Sequence, residues 1–208
     1  MTASAGTAKQ SSTIGIVNYG AGNIFSLTAA LERQGLSFGM VNTEEDFSNF
    51  ERIIIPGVGH AGAAMGKLRA TGMVNAIKKL KKPVLGICLG MQLMTKYSSE
   101  GEADLLNIMP LETAGFSGRI PYKVPHMGWS RIEVEKQQPL FSGIPNGTPF
   151  YFVHSYFIEY HSDFTAASCT YGVKFSAAIQ HYNFYGVQFH PEKSGSAGEL
   201  LLKNFSTF

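Results

Sequence analysis

The sequence predicts an α/β fold: a layered, largely parallel sheet flanked by helices, with a strand-rich C-terminal portion. Three observations lead there. In the first half, short apolar runs alternate with stretches of helical periodicity, the pattern of β-α-β units around a parallel sheet. One such run, Ile53-Ile54-Ile55, is apolar and β-branched throughout, as suits a strand covered on both faces. From about residue 107 onward the segments become shorter and more β-like. The chain has 208 residues, 44% of them hydrophobic, enough for one domain with a substantial core. A single domain is expected over 13–208, behind a small, polar, disordered tail over 1–12.

Taken in order, Ile14-Gly15-Ile16-Val17 reads as the first strand and the turn over 18–23 follows it. Asn23 is placed to cap a helix over 24–34, whose apolar positions Phe25, Leu27, Ala30 and Leu31 keep helical spacing until Gly35. The Gly-x-Gly in this turn lacks the third glycine of a dinucleotide fingerprint, and no acidic residue ends the second strand over 38–42. The isoleucine strand runs into Pro56-Gly57-Val58-Gly59-His60. Such a loop can turn backbone N–H groups toward a developing anion, and it equally suits a plain strand-to-helix connection. Helical patterns fill 61–80 with a break at Gly72. Later strands are expected over 131–134, 150–154 and 177–179, a hairpin turns at Asn183 into a strand over 185–190, and a last helix covers 198–205.

The densest chemical signal is Gly86-Ile87-Cys88-Leu89-Gly90, between an apolar run and a helix expected over 91–94. A residue at such a corner is thrust out of the sheet, and glycines two positions to either side permit the tight turn of a nucleophile elbow. A helix N-terminus behind it favours thiolate over thiol. Gly186-Val187-Gln188-Phe189-His190-Pro191-Glu192 supplies the complement. His190 and Glu192 are two apart in extended chain and so point the same way, and a carboxylate beside an imidazole fixes its tautomer. Cys88, His190 and Glu192 are the candidate catalytic residues.

Composition removes several classes. A net charge of +2 gives no field for nucleic acid, and no apolar run approaches the ~20 residues of a membrane span. The basic run Lys78-Lys79-Leu80-Lys81-Lys82 fits a solvated helix end. Two cysteines, far apart, suit a reducing and cytoplasmic setting. The first dozen residues resemble neither a signal nor a transit peptide.

The two motifs resemble those of class I (triad) glutamine amidotransferases. Asn18-Tyr19-Gly20-Ala21-Gly22-Asn23, Val124-Pro125-His126-Met127-Gly128-Trp129 and Lys193 narrow the resemblance to the branch that supplies imidazole glycerol phosphate synthases with their glutaminase subunit. It runs from about Ile14 to the C-terminus. The resemblance implies L-glutamine as substrate, no metal, no cofactor, and an oxyanion hole from Gly57, Val58, Gly59 and the N–H of Leu89. It also implies a heterodimer with a (β/α)8-barrel synthase, which uses the ammonia to make imidazole glycerol phosphate and an aminoimidazole carboxamide ribotide. Asn18, Tyr19, His126, Met127, Trp129, Tyr151 and Lys193 would face that partner, the 124–129 segment as an exposed loop. Gln92, His154, Ser155 and Tyr156 are candidates for holding the amino acid. Ser130, where asparagine is common, and the 102–114 stretch depart from the family pattern. A related glutaminase for surface-sugar synthesis and a stand-alone cysteine hydrolase stay open, as does a non-catalytic binding module.

Overall fold

The alternation of apolar runs with helical periods folds into strands stacked edge to edge, with helices on both faces. The computed structural model describes residues 13–20 and 23–208; the tail expected over 1–12 lies outside the described residues, as do Ala21 and Gly22. Strands β1 (Ile14–Val17), β2 (Phe38–Val41), β3 (Arg52–Gly57) and β4 (Val84–Cys88) run parallel in the order β2-β1-β3-β4. Helix α1 (Ile24–Arg33) connects β1 to β2; α2 (Ala61–Ala70) and α3 (Met73–Lys79) connect β3 to β4.

Side-chain alternation along these strands divides the core. Ile14, Ile16, Ile54, Leu85 and Ile87 pack with α1 and the last helix. Val17, Ile53, Ile55 and Val84 pack with α2 and α3 on the other face. Ile53, Ile54 and Ile55 are wholly buried, each worth about 2 kcal/mol in transfer from water. This is why the sequence shows no polar position in that run.

After β4 a single helical turn, α4 (Leu89–Gln92), is followed by β5 (Tyr97–Ser98), β6 (Ala103–Asp104) and β7 (Glu112–Gly115). Strands β8 (His126–Arg131), β9 (Glu133–Val134), β10 (Pro149–His154), β11 (Tyr156–Glu159), β12 (Thr165–Tyr171), β13 (Val173–His181) and β14 (Phe184–Val187) then lead into α5 (Gly195–Phe205). Strand β14 lies parallel beside β4, and β13 and β11 extend the sheet antiparallel. The turn expected at Asn183 joins β13 to β14, where Asn183 Nδ2 donates to the carbonyls of Leu80 and Lys82 just ahead of β4. No helix among the described residues is long and apolar enough to cross a membrane.

Four expectations need correction. The strand expected over 185–190 ends at Val187, and Glu192 reaches His190 from the 3-10 turn Pro191–Lys193 and not from extended chain. The strand expected over 131–134 is two: β8 ends at Arg131, Ile132 is fully buried, and β9 pairs with β12 in the main sheet. Ile132 turns the corner, its N–H donating to the Thr148 carbonyl and its own carbonyl accepting from the Gly147 N–H. The segment expected as an exposed loop over 124–129 enters β8 at His126 and forms a separate two-stranded ribbon with β10. The elbow helix spans Leu89–Gln92, not 91–94, so the macrodipole expected behind Cys88 is that of a single turn.

Helix α5 sits against the Pro191–Lys193 turn, where a Cβ on Gly198 would overlap the Pro191 carbonyl oxygen. Gly198→Ala is expected to cost about 3 kcal/mol, read as a lower urea midpoint. Gly66→Ala, on the exposed face of α2 with open space at Cβ, is expected to stabilise by about 0.5 kcal/mol in the same assay.

Candidate active site

The carboxyl ends of three neighbouring strands meet at one point. Gly57 at the end of β3 pairs with Cys88 at the end of β4, and Val187 at the end of β14 pairs with Ile87. The Gly57-Val58-Gly59 loop, the elbow and the His190 segment therefore emerge side by side, as ligand sites of open α/β sheets do.

Cys88 holds φ of +53°, a region that non-glycine residues rarely occupy. The turn is that tight because its flanks are pressed together. A Cβ on Gly86 would lie 2.5 Å from the Gly90 carbonyl oxygen, and one on Gly90 would overlap that of Ile55. Both glycines are thus required by backbone contact.

His190 Nδ1 and Glu192 Oε1 are 2.7 Å apart, with side chains only 2% and 4% exposed. With Nδ1–H donating to the carboxylate, Nε2 is the nitrogen left for the cavity, and it has no hydrogen-bond partner among the described residues. Burial opposes charge on His190, but the adjoining Cys88 sulfur and the Glu192 carboxylate outweigh it and raise its proton affinity above that of an ordinary imidazole.

Cys88 and His190 line one cavity of about 360 Å³, a size suited to a small metabolite. Val58, Gly59 and Leu89 line it as well, with Gly57 buried behind them. Gln92, His154, Ser155 and Tyr156 also contribute to the wall. His154 offers no free nitrogen, because Nδ1 bonds the Tyr156 carbonyl and Nε2 bonds His126 Nδ1. Among the described residues, the one carboxylate lining the cavity is Glu100. Sequence reasoning missed it because a lone carboxylate before a glycine turn carries no spacing signal. One oxygen of Glu100 accepts from the Ala61 N–H at 2.6 Å, which fixes the carboxylate against the start of α2.

Of the residues expected at a partner surface, Met127 and Trp129 are 62% and 58% exposed, Lys193 is exposed, and Asn18 and Tyr151 are half-buried. Tyr19 and His126 are not at the surface. The Tyr19 hydroxyl donates to the Pro56 carbonyl, and burial pushes its pKa well up. His126 lies inside the ribbon, stacked on Tyr171 with ring centroids 4.1 Å apart. Alternation along β8 explains this: Met127 and Trp129 face out while His126 faces the core.

The sequence is similar to curated relatives named imidazole glycerol phosphate synthase subunit HisH. That of Pasteurella multocida is 46% identical over 195 residues, covering 92% of this chain and 96% of the relative. That of Bacteroides thetaiotaomicron is 46% identical, covering 92% and 97%. Residues 15–207 match the model of the family described as glutamine amidotransferase class-I. In fold the chain resembles PurLQS from Thermotoga maritima, with a TM-score of 0.71, 18% identity, and coverage of 94% of this chain and 98% of the other. It also resembles a second protein of Thermotoga maritima described as a glutamine amidotransferase, with a TM-score of 0.63, 16% identity, and coverage of 94% and 83%.

The buried histidine pair carries a pH prediction. Burial lowers His126 to about 4 and His154 to about 3, from an ordinary value of 6.5. Between pH 6.5 and 4 the unfolded chain therefore binds protons that the folded chain refuses. The pair's contribution to stability is expected to be complete well above pH 6.5 and to fall on acidification, by up to about 1.4 kcal/mol per pH unit for each group. Urea midpoints measured from pH 7.5 to 4 check this; a flat profile down to pH 4.5 contradicts it.

Proposed function

This chain belongs to the glutamine amidotransferase class-I family, and on that premise we propose that it hydrolyses L-glutamine as the glutaminase subunit of an imidazole glycerol phosphate synthase. The observation that carries the chemical reading is the meeting of Cys88 and His190 on one cavity, with Glu192 bonded to the far side of the imidazole.

Cys88 Sγ attacks the side-chain amide carbon of glutamine. His190 Nε2 takes the thiol proton and returns it to the departing ammonia, while Glu192 holds Nδ1–H and stabilises the imidazolium. The Leu89 N–H and the Gly57-Val58-Gly59 backbone stabilise the tetrahedral oxyanion, at roughly 3 kcal/mol per donor in comparable sites. Water, activated by His190, then cleaves the thioester and releases glutamate. Glu100 supplies the negative charge that suits the α-ammonium of an amino acid. Gln92 Oε1 and the Ser155-Tyr156 wall hold its remaining polar atoms.

Ammonia freed into bulk water is protonated and lost as a nucleophile. A partner synthase with a (β/α)8-barrel, docked at the cavity mouth, receives it directly. Support for the docking face comes from exposed apolar groups: Met127, Trp129 and Val58, the last 41% exposed and itself lining the cavity. Tyr151 packs edge-on to Trp129 at 6.0 Å, and Lys193 Nζ lies 5.9 Å from the Tyr151 ring centroid. Lys193 offers its positive charge to an acidic group on the partner.

Glutamate release is the direct test, with the purified chain alone and then with the barrel synthase and its ribonucleotide substrate. A large rise with both additions, and a loss of at least about 1000-fold in Cys88→Ala, are expected. Full activity of the chain alone excludes a coupled subunit. Lys193→Ala is expected to weaken the rise while leaving Cys88 alkylation by a glutamine analogue unchanged; equal loss of both rejects the docking role.

A further inference from the structure

Amide and imidazole orientations follow from hydrogen bonding once one partner is fixed, and a backbone carbonyl is fixed because it only accepts. The Tyr156 carbonyl accepts from two side chains at once: His154 Nδ1 at 2.8 Å and Gln92 Nε2 at 2.9 Å. On the first side, His154 Nε2 must then accept from His126 Nδ1–H, and His126 Nε2 from the Ser130 hydroxyl at 2.8 Å. On the second side, Gln92 Nε2 also donates to Gln188 Oε1 at 2.9 Å. That turns the other end of the Gln188 amide, Nε2, toward Cys88 Sγ, 3.7 Å away. Reversing Gln188 would set two N–H donors against each other, and reversing Gln92 to relieve this would set its oxygen against the Tyr156 carbonyl.

We propose that Gln188 is a further catalytic residue of this site: its amide N–H bonds to the nucleophilic sulfur and favours the anionic form that attacks the substrate. Gln188 is fully buried, so no water competes for the sulfur-facing N–H. The opposing contact is the Val153 carbonyl, 3.9 Å from Sγ, which accepts from the thiol and favours the neutral form. Position supports the assignment: Gln188 precedes His190 by two residues, so the same stretch of chain presents an anion-stabilising donor and the base. No proton travels along this line, since it terminates on a carbonyl. The proposal rests on Cys88 being the nucleophile, but not on glutamine being its substrate.

The test is alkylation of Cys88 by iodoacetamide in the full chain, followed from pH 6 to pH 10 without any substrate. Cys169 does not compete, being 3% exposed and pushed up to about 12 by burial. Gln188→Met keeps the volume and removes the donor; it is expected to react about 5-fold more slowly at pH 7 and to converge with the unaltered chain at high pH, where both thiols are ionised. Should that variant fail to fold, Gln188→Leu, which also lacks a donor and adds no charge, gives the second reading, and the same slowing at pH 7 is expected. Unchanged rates at pH 7 in a folded variant overturn the proposal, and so does slowing by the same factor at every pH, which signals altered access. Slowing confined to low pH, together with no glutamate release in the presence of the synthase, supports Gln188 and rejects the glutaminase reading instead.

Discussion

The constraint on which the site depends is the contact between the elbow and the strand beside it. Gly90 sits so near the Ile55 carbonyl that a single added carbon has no room. From that approach follows the positive φ of Cys88, and from the pairing of β3 with β4 follows its place opposite Gly57. Strand β14, parallel on the other side of β4, delivers Gln188 and His190 to the same edge. The glycines flanking Cys88 are places where two backbones touch, and the strain stored at Cys88 is held by the buried strands around it.

A second layer of organisation is polar. The ribbon of β8 and β10 stands apart from the main sheet, yet it is bonded to the segment carrying the imidazole. His190 N–H donates to the Tyr151 carbonyl, while the Ser194 hydroxyl accepts from Tyr151 N–H and donates to the His190 carbonyl. Tyr151 thus has its ring on the outer face with Trp129 and its backbone on His190. Under the proposed function, a docked partner presses on a strand one hydrogen bond away from the base.

Much of this was legible in the sequence. The parallel half can be read because its strands are continuous apolar runs and its helices keep a 3.6-residue period; the elbow can be read because cysteine between two glycines at such a corner is informative. Strand β8 cannot. Its inward positions are His126, Gly128 and Ser130, and its outward ones include Met127 and Trp129, so polarity runs opposite to the usual alternation. The buried imidazoles that cause this inversion are satisfied by each other and by Ser130, which sequence spacing does not reveal. Tyr19 escapes sequence reasoning in a similar way: its phenol finds an acceptor at Pro56, inside the fold. Gln188 lies within the His190 motif but just past the end of β14, and its contact with the sulfur follows from the fold and not from spacing.

The Tyr156 carbonyl has one more consequence. Every side chain in the polar line that it orients can be exchanged by mutation of its codon. The carbonyl cannot, because each of the twenty amino acids brings the same one. A substitution at position 156 alters the phenol and leaves the acceptor standing. The direction of hydrogen bonding between Ser130 and Cys88 is therefore inherited with the path of the main chain, and only a mutation that reroutes the chain can reverse it.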